Sequence, residues 1–202
     1  IKIKQTNPTL AAMIISQYGG PDGELGASMR YISQRYSMPY REVAGLLTDI
    51  GTEELGHFEM ISTMVHQLTR NLTIEQIKGT PFEAYYVDHT SAVWPQAAGG
   101  IPFNACEFQS KGDSITDIVE DMAAEQKARK TYDNILRLAK DQEVADPIRF
   151  LREREIVHFQ RFGEALRLLQ EELDSKNYYA FNPNFDCMQN ATRSVSYTHL
   201  TL

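Results

Sequence analysis

The sequence is short of cysteine: Cys106 and Cys187 are the only two in 202 residues. They form no Cys-x-x-Cys pair and no disulfide framework, which excludes a small stapled fold and agrees with a reducing, cytoplasmic setting. Basic charge is scarce as well. Lys and Arg number 20 against 27 Asp and Glu, a formal net charge of −7. With no basic stripe, no nucleic acid is expected as a partner. No apolar run approaches the ~20 residues of a membrane-spanning helix. Strictly alternating runs are missing too, so no β-strand is expected. The zinc-protease pattern His-Glu-x-x-His does not occur.

What is present suits one domain with a sizeable core: 42% of residues are hydrophobic and 23% charged. Residues 1–183 carry the expected domain, and 184–202 an aperiodic tail whose last nine residues, "SVSYTHLTL", read as non-native adaptor sequence. The chain begins at Ile1 rather than methionine. A fragment would do so, which leaves room for a lost targeting segment.

Helical signals dominate. Asn7-Pro8 opens a helix that Gly19-Gly20 stops, and Pro21 opens a second in "PDGELGASMRYISQRY". A long helix is expected from about Pro39 to Leu68, with the stripe Val43, Leu47, Ile50, Ile61, Met64, Leu68. Asp113 opens a further long helix with inner residues Ile115, Ile118, Met122, Tyr132, Ile135, and the last runs from about Pro147 to Leu173. Residues 71–112 are rich in aromatics, Gly and Pro and show no helical period, apart from a short helix at "TIEQIK". Connections this long are uncommon. Crossing from one end of a helical bundle to the other would require one.

Two stripes are interrupted. Glu54 and His57 fill the gap in the long helix at about 39–68, and Glu155 and His158 fill the gap in the one at about 147–173. Glu24 precedes the first Glu-x-x-His by thirty residues and Glu125 precedes the second by thirty, so the sets repeat at an offset of 101. Four carboxylates on converging apolar faces are untenable without counter-charge. Two divalent cations would supply it, with carboxylates as bridges and one imidazole for each ion. One Glu from each of two helices and Glu-x-x-His from each of the other two is the ligand pattern of di-iron and di-manganese carboxylate bundles. A lone Glu-x-x-His is weak; a registered pair is specific. Glu24 by itself could be no more than a helix N-terminal acid. Glu53, Glu59 and Glu153 lie off the stripes and are expected to be solvated, as are Arg152 and Arg154.

The stretches "GGPDGELGASMRYISQRY", "LLTDIGTEELGHFEMI", "KGDSITDIVEDMAAEQKARKTY" and "FLREREIVHFQRF" closely resemble the non-haem manganese catalases, best the short, spore-coat-associated branch. The resemblance covers about residues 5–183. It implies an all-α, ferritin-like four-helix bundle with one long crossover, holding two manganese ions. It further implies disproportionation of hydrogen peroxide to water and oxygen, a homohexamer, and a place in the cytoplasm or spore coat, with other coat proteins as partners. Carried over by position, Glu24, Glu54, His57, Glu125 and His158 become the metal ligands, with Glu54 as a bridge. Spacing alone makes Glu155 a second bridge; the resemblance makes it the proton-shuttling catalytic carboxylate. Tyr31, two turns after Glu24, matches a tyrosine that hydrogen-bonds a ligand carboxylate, although a plain core aromatic explains it equally. One departure is Ala124, where some members carry an arginine that helps close the solvent channel. Two other readings stay open. One is a different di-metal oxidoreductase on the same bundle, since Glu and His serve iron as well as manganese; the absent Cys-x-x-Cys pairs argue against an attached rubredoxin domain. The other is a spore-coat building block with a structural or vestigial site.

Overall fold

A computed structural model describes residues 1–176, with side chains to Leu173. The expectations for the tail, including residues 177–183 of the proposed domain, lie outside that range. Eight α-helices follow in order: α1 (Pro8–Ile14), α2 (Ser16–Gly19), α3 (Glu24–Gln34), α4 (Arg41–Thr69), α5 (Ile74–Ile77), α6 (Phe82–His89), α7 (Ser114–Leu138) and α8 (Gln142–Lys176). Among the described residues there is no strand, only an isolated antiparallel bridge between Gln96 and Pro102. The all-α expectation is therefore met.

Four helices build the bundle. Helices α3 and α4 pack as one pair, α7 and α8 as the other, and α4 lies against α8. Local chemistry sets their ends. The Asn7 side chain accepts from the Leu10 N–H and Pro8 occupies the first turn of α1. Asp113 caps α7 by accepting from the Thr116 N–H at 2.8 Å. Helix α8 begins at Gln142, five residues before the position expected from Pro147. Asp141 supplies the start, accepting from the Glu143 N–H at 2.9 Å, and Pro147 sits within the helix. Its missing N–H would pair with the Glu143 carbonyl, which is near solvent.

Helix α3 has 11 residues and α4 has 29, about 16 against 44 Å. Helices α1 and α2 fill the column that α3 leaves empty, packing on the C-terminal half of α4. The pair α3–α4 comes very close at Gly51, where an added Cβ would stand 2.8 Å from Ile32 Cγ1 and 3.2 Å from the Ile32 nitrogen. Ser28 Oγ donates to the Gly51 carbonyl at 2.7 Å across the same contact.

Residues 70–113 form the crossover, and they are less irregular than their composition suggests. Thr73 makes a reciprocal capping box with Gln76 for α5. Helix α6 was not foreseen. It buries only Phe82 and Tyr85 and leaves Val87 exposed, so no continuous stripe marks it. The crossover then lies over α2 and α3. The Pro95 backbone reaches within 2.5 Å of where a Gly19 Cβ would be, so this passage requires glycine. Gln34 Nε2 donates to the Gln109 carbonyl at 3.1 Å, and the Arg30 guanidinium lies over the Phe108 ring.

The core is split. One apolar cluster joins α1, α2 and α6 to Ile61, Met64 and Leu68 of α4, Tyr132 and Ile135 of α7, and Ile148 and Leu151 of α8. The other joins Tyr31 to Val43, Leu47 and Ile50 of α4, Ile118 of α7, and Phe162 and Leu169 of α8. Glu54 and His57, Glu125, and Glu155 and His158 fall between those two sets on their helices.

Candidate metal centre

The helical period brings the six polar interruptions together. Glu24, Glu54, His57, Glu125, Glu155 and His158 are all buried. They form two overlapping groups, Glu24–Glu54–His57–Glu155 and Glu54–Glu125–Glu155–His158, each offering four ligand atoms within 4.8 Å of one another. A first-row divalent ion holds oxygen and nitrogen at about 2.0–2.2 Å, so ligands on opposite sides sit about 4–4.4 Å apart. Both groups therefore have the size of an ion site, and they share Glu54 and Glu155.

Glu54 is the hinge between them. Its Oε2 lies 2.6 Å from His57 Nδ1, and its Oε1 lies 2.8 Å from His158 Nδ1. The two imidazoles are nearly parallel, with centroids 5.6 Å apart. Each oxygen of one carboxylate thus stands beside the Nδ1 of a different histidine, the layout of a carboxylate that spans two ions. Yet Glu54 Oε1 and His158 Nδ1 make no aligned hydrogen bond, and Glu125 Oε2 and Glu155 Oε1 are also buried without one. Close donor atoms that do not aim at each other share a third target. The residues present fit a pair of divalent cations.

Electrostatics separates the carboxylates. Burial pushes Glu54 up, but contacts with His158 and His57 outweigh it and bring the group down to about 2. Burial pushes His158 down, but Glu125 and Glu54 outweigh that and raise it to about 11. Glu155 goes well above its ordinary value through burial first, then repulsion from Glu125, Glu24 and Glu54. Glu24 is raised in the same way by burial and Glu54, against the hydrogen bond from Tyr132. In the metal-free core, then, the surroundings favour the anion at Glu54 and the protonated form at Glu24 and Glu155.

Two tyrosines cross-link the halves. Tyr31 of α3 donates to Glu125 Oε1 of α7, and Tyr132 of α7 donates to Glu24 Oε1 of α3. Tyr31 thus meets a site carboxylate, though not the one on its own helix. Tyr132 escaped the sequence reading except as a core position. It stands 101 residues after Tyr31, so the same offset that pairs the ligands would have found it.

Glu53 and Arg154 correct an expectation. Their place off the stripes predicts solvation, but Glu53 is only 30% exposed and Arg154 27%. Arg154 Nε and Nη2 clamp the Glu53 carboxylate at 2.6 and 3.1 Å. They too are 101 residues apart. Arg152 instead pairs with Asp133 at 2.5 Å, while Glu59 and Glu153 are exposed as expected. Ala124 is buried beside Glu125.

The comparisons with known proteins show the family. The family of manganese-containing catalases matches residues 1–193. Protein CotJC of Bacillus subtilis is 51% identical over 179 residues, covering 89% of this chain and 94% of that protein. A probable manganese catalase of Clostridium acetobutylicum is 31% identical over 88% of this chain and 79% of its own length. Among solved structures, KatB, a manganese catalase from Anabaena, superposes with a TM-score of 0.78 at 28% identity, covering 84% of this chain and 76% of that one. The chain belongs to the manganese-containing catalase family.

Proposed function

We propose that this chain is a di-manganese catalase that disproportionates hydrogen peroxide to water and oxygen. The observation that carries this reading is the pair of overlapping four-ligand groups sharing Glu54 and Glu155 in a buried belt between two apolar clusters. Glu24, Glu54 and His57 would hold one ion and Glu54, Glu125 and His158 the other, with Glu54 common to both. When bound, the metal pair supplies the two-electron redox change and an electrophilic centre for peroxide.

The chain's own task is proton management. The peroxide that leaves as oxygen gives up two protons, and the peroxide that leaves as two waters takes up two. A carboxyl beside the reacting oxygens that holds one between half-cycles serves as general acid and base in turn. Glu155 is our assignment: it is buried, raised well above an ordinary carboxyl, and free at Oε1. Tyr31 and Tyr132 each occupy one oxygen of Glu125 and Glu24, which leaves those carboxylates one oxygen apiece and fixes their direction. The apolar clusters above and below the belt keep bulk water from the site.

A second reading rests on the relatives. The chain is half identical to Protein CotJC, whose name carries no activity, but only a quarter to a third identical to relatives named catalases. That pattern favours testing a mainly structural role, as a homo-oligomeric spore-coat component whose metal pair braces the bundle. Oxygen evolution on protein from manganese-supplemented cells, with metal analysis of the same sample, separates the readings. Two manganese per chain with rapid oxygen release supports the catalase. Two metals with no oxygen, or iron in their place, supports the structural role or an iron oxidoreductase. No described helix is long and apolar enough to cross a membrane.

A further inference from the structure

Among the described residues, Glu53 has a position no other carboxylate shares. It lies on α4 one residue before Glu54, on the side of the site away from the four-carboxylate cluster. Its Oε1 is 3.4 Å from His57 Nε2, and its Oε2 is 3.3 Å from His158 Nε2, which is buried and makes no aligned hydrogen bond, so both are ion-pair contacts at the edge of hydrogen-bond reach. The opposite nitrogens of the same rings face the cluster: His57 Nδ1 meets Glu54 at 2.6 Å and Glu24 at 3.8 Å, and His158 Nδ1 meets Glu54 at 2.8 Å and Glu125 at 3.5 Å. Arg154 of α8 holds the Glu53 carboxylate through two nitrogens, so the group that touches both rings is itself fixed from the facing helix.

We propose that Glu53 is a shared positioning residue, one carboxylate whose two oxygens receive the Nε2–H of both imidazoles and leave both Nδ1 atoms bare for metal. This deepens the di-metal reading and rests on it. A metal-binding histidine needs its second nitrogen protonated and directed, and an outer carboxylate commonly does this for one ring. Here a single side chain stands within reach of two rings on two helices, and the planes of those rings are near-parallel. Arg154 orients Glu53 and neutralises its charge, so no uncompensated anion is added beside the buried carboxylates.

The shared role has a consequence that ordinary packing lacks. Glutamine has the shape of glutamate but one acceptor oxygen and one NH2 donor. In Glu53→Gln the amide oxygen serves one ring. The NH2 faces the other, which must turn its bare nitrogen outward and carry its proton on Nδ1, where no metal can bind. Manganese titration, read by the free-ion paramagnetic resonance signal and by competition with a chelator, tests this without any turnover. Wild type should take up two ions per chain. Glu53→Gln should keep one near wild-type affinity and bind the second roughly 10–100-fold more weakly. Glu53→Ala should weaken both. Arg152→Ala, which breaks an ion pair on another face of the same helix, should change neither. Two ions bound with unchanged affinity in Glu53→Gln, or both weakened equally, overturns the shared anchor while leaving the metal pair standing. A wild type that takes up no manganese overturns the di-metal reading and this inference with it. Melting curves of the metal-free variants separate lost affinity from lost fold.

Discussion

The α3–α4 half and the α7–α8 half carry the same polar positions 101 residues apart, yet the matched residues do opposite things. Glu54 and Glu155 correspond, but Glu54 meets both histidines and is held as an anion, down to about 2. Glu155 is buried beside three carboxylates, which shifts it well above its ordinary value, towards the protonated form. Glu53 and Arg154 correspond, and there the charge itself is reversed, which makes them partners across the halves. Glu24 and Glu125 correspond, but Glu24 is the first residue of an 11-residue helix while Glu125 lies midway along a 25-residue one. Repetition fixes where groups stand. Their neighbours fix what charge they carry, and so what chemistry each half performs.

The comparison breaks most visibly at Glu54 and Glu155. Glu155→Gln should keep two metals per chain and lower oxygen evolution by roughly 10²–10⁴-fold, the usual size of general acid–base catalysis. Glu54→Gln should instead lose metal, since it removes the group common to both sites. Metal analysis beside turnover checks both, and wild-type turnover in Glu155→Gln would sink the shuttle assignment. The tyrosines test where the halves remain equivalent. Tyr31→Phe and Tyr132→Phe should each weaken manganese binding about 10-fold. A much larger effect of one would show that the reciprocal hydrogen bonds are not equivalent.

How much of this was legible beforehand follows from the kind of signal. The bundle helices could be read because each buries a continuous stripe at a 3.6-residue period, as α4 does from Val43 to Leu68. The ligands could be read because they break those stripes in register. Helix α6 could not, because it buries two side chains in eight residues. Nor could the Glu53–Arg154 clamp, because charged residues off a stripe look alike whether they face water or each other.

The protonation contrast gives the next effect. His158 sits at about 11 against an ordinary 6.5, so its stabilising contribution is complete below 6.5 and is lost as pH rises towards 11. Glu54 sits at about 2 against 4.5, so its contribution is present above 4.5 and is lost as pH falls through 2. Glu24 and Glu155, raised in the fold, lose their contribution as pH climbs past 4.5. Above about 6.5 nothing among these groups compensates the loss at His158. The Tm of chelator-treated protein should therefore fall from pH 6 to pH 9. Bound metal takes the place of those protons and should flatten the curve. Parallel curves with and without metal would remove this account.

Packing supplies the smaller effects. Gly51→Ala forces a methyl against Ile32 where α3 meets α4 and should cost about 1–3 kcal/mol in denaturant unfolding. Gly45→Ala, on the exposed side of the same helix with open space around it, should stabilise by about 0.5–1 kcal/mol. Equal outcomes at the two glycines would mean that the close α3–α4 contact is absent in solution.

The sequence by itself determined the helices, their inward faces, and the six side chains that interrupt those faces, because hydrophobic periodicity and spacing are properties of one chain read in order. Only the tertiary structure decided which tyrosine serves which glutamate, that Arg154 clamps Glu53 beside both imidazoles, and that two glutamates in equivalent positions are shifted in opposite directions. Those outcomes depend on distances between helices 100 residues apart in sequence and on the burial that makes such distances matter, since charge interactions strengthen as water is excluded.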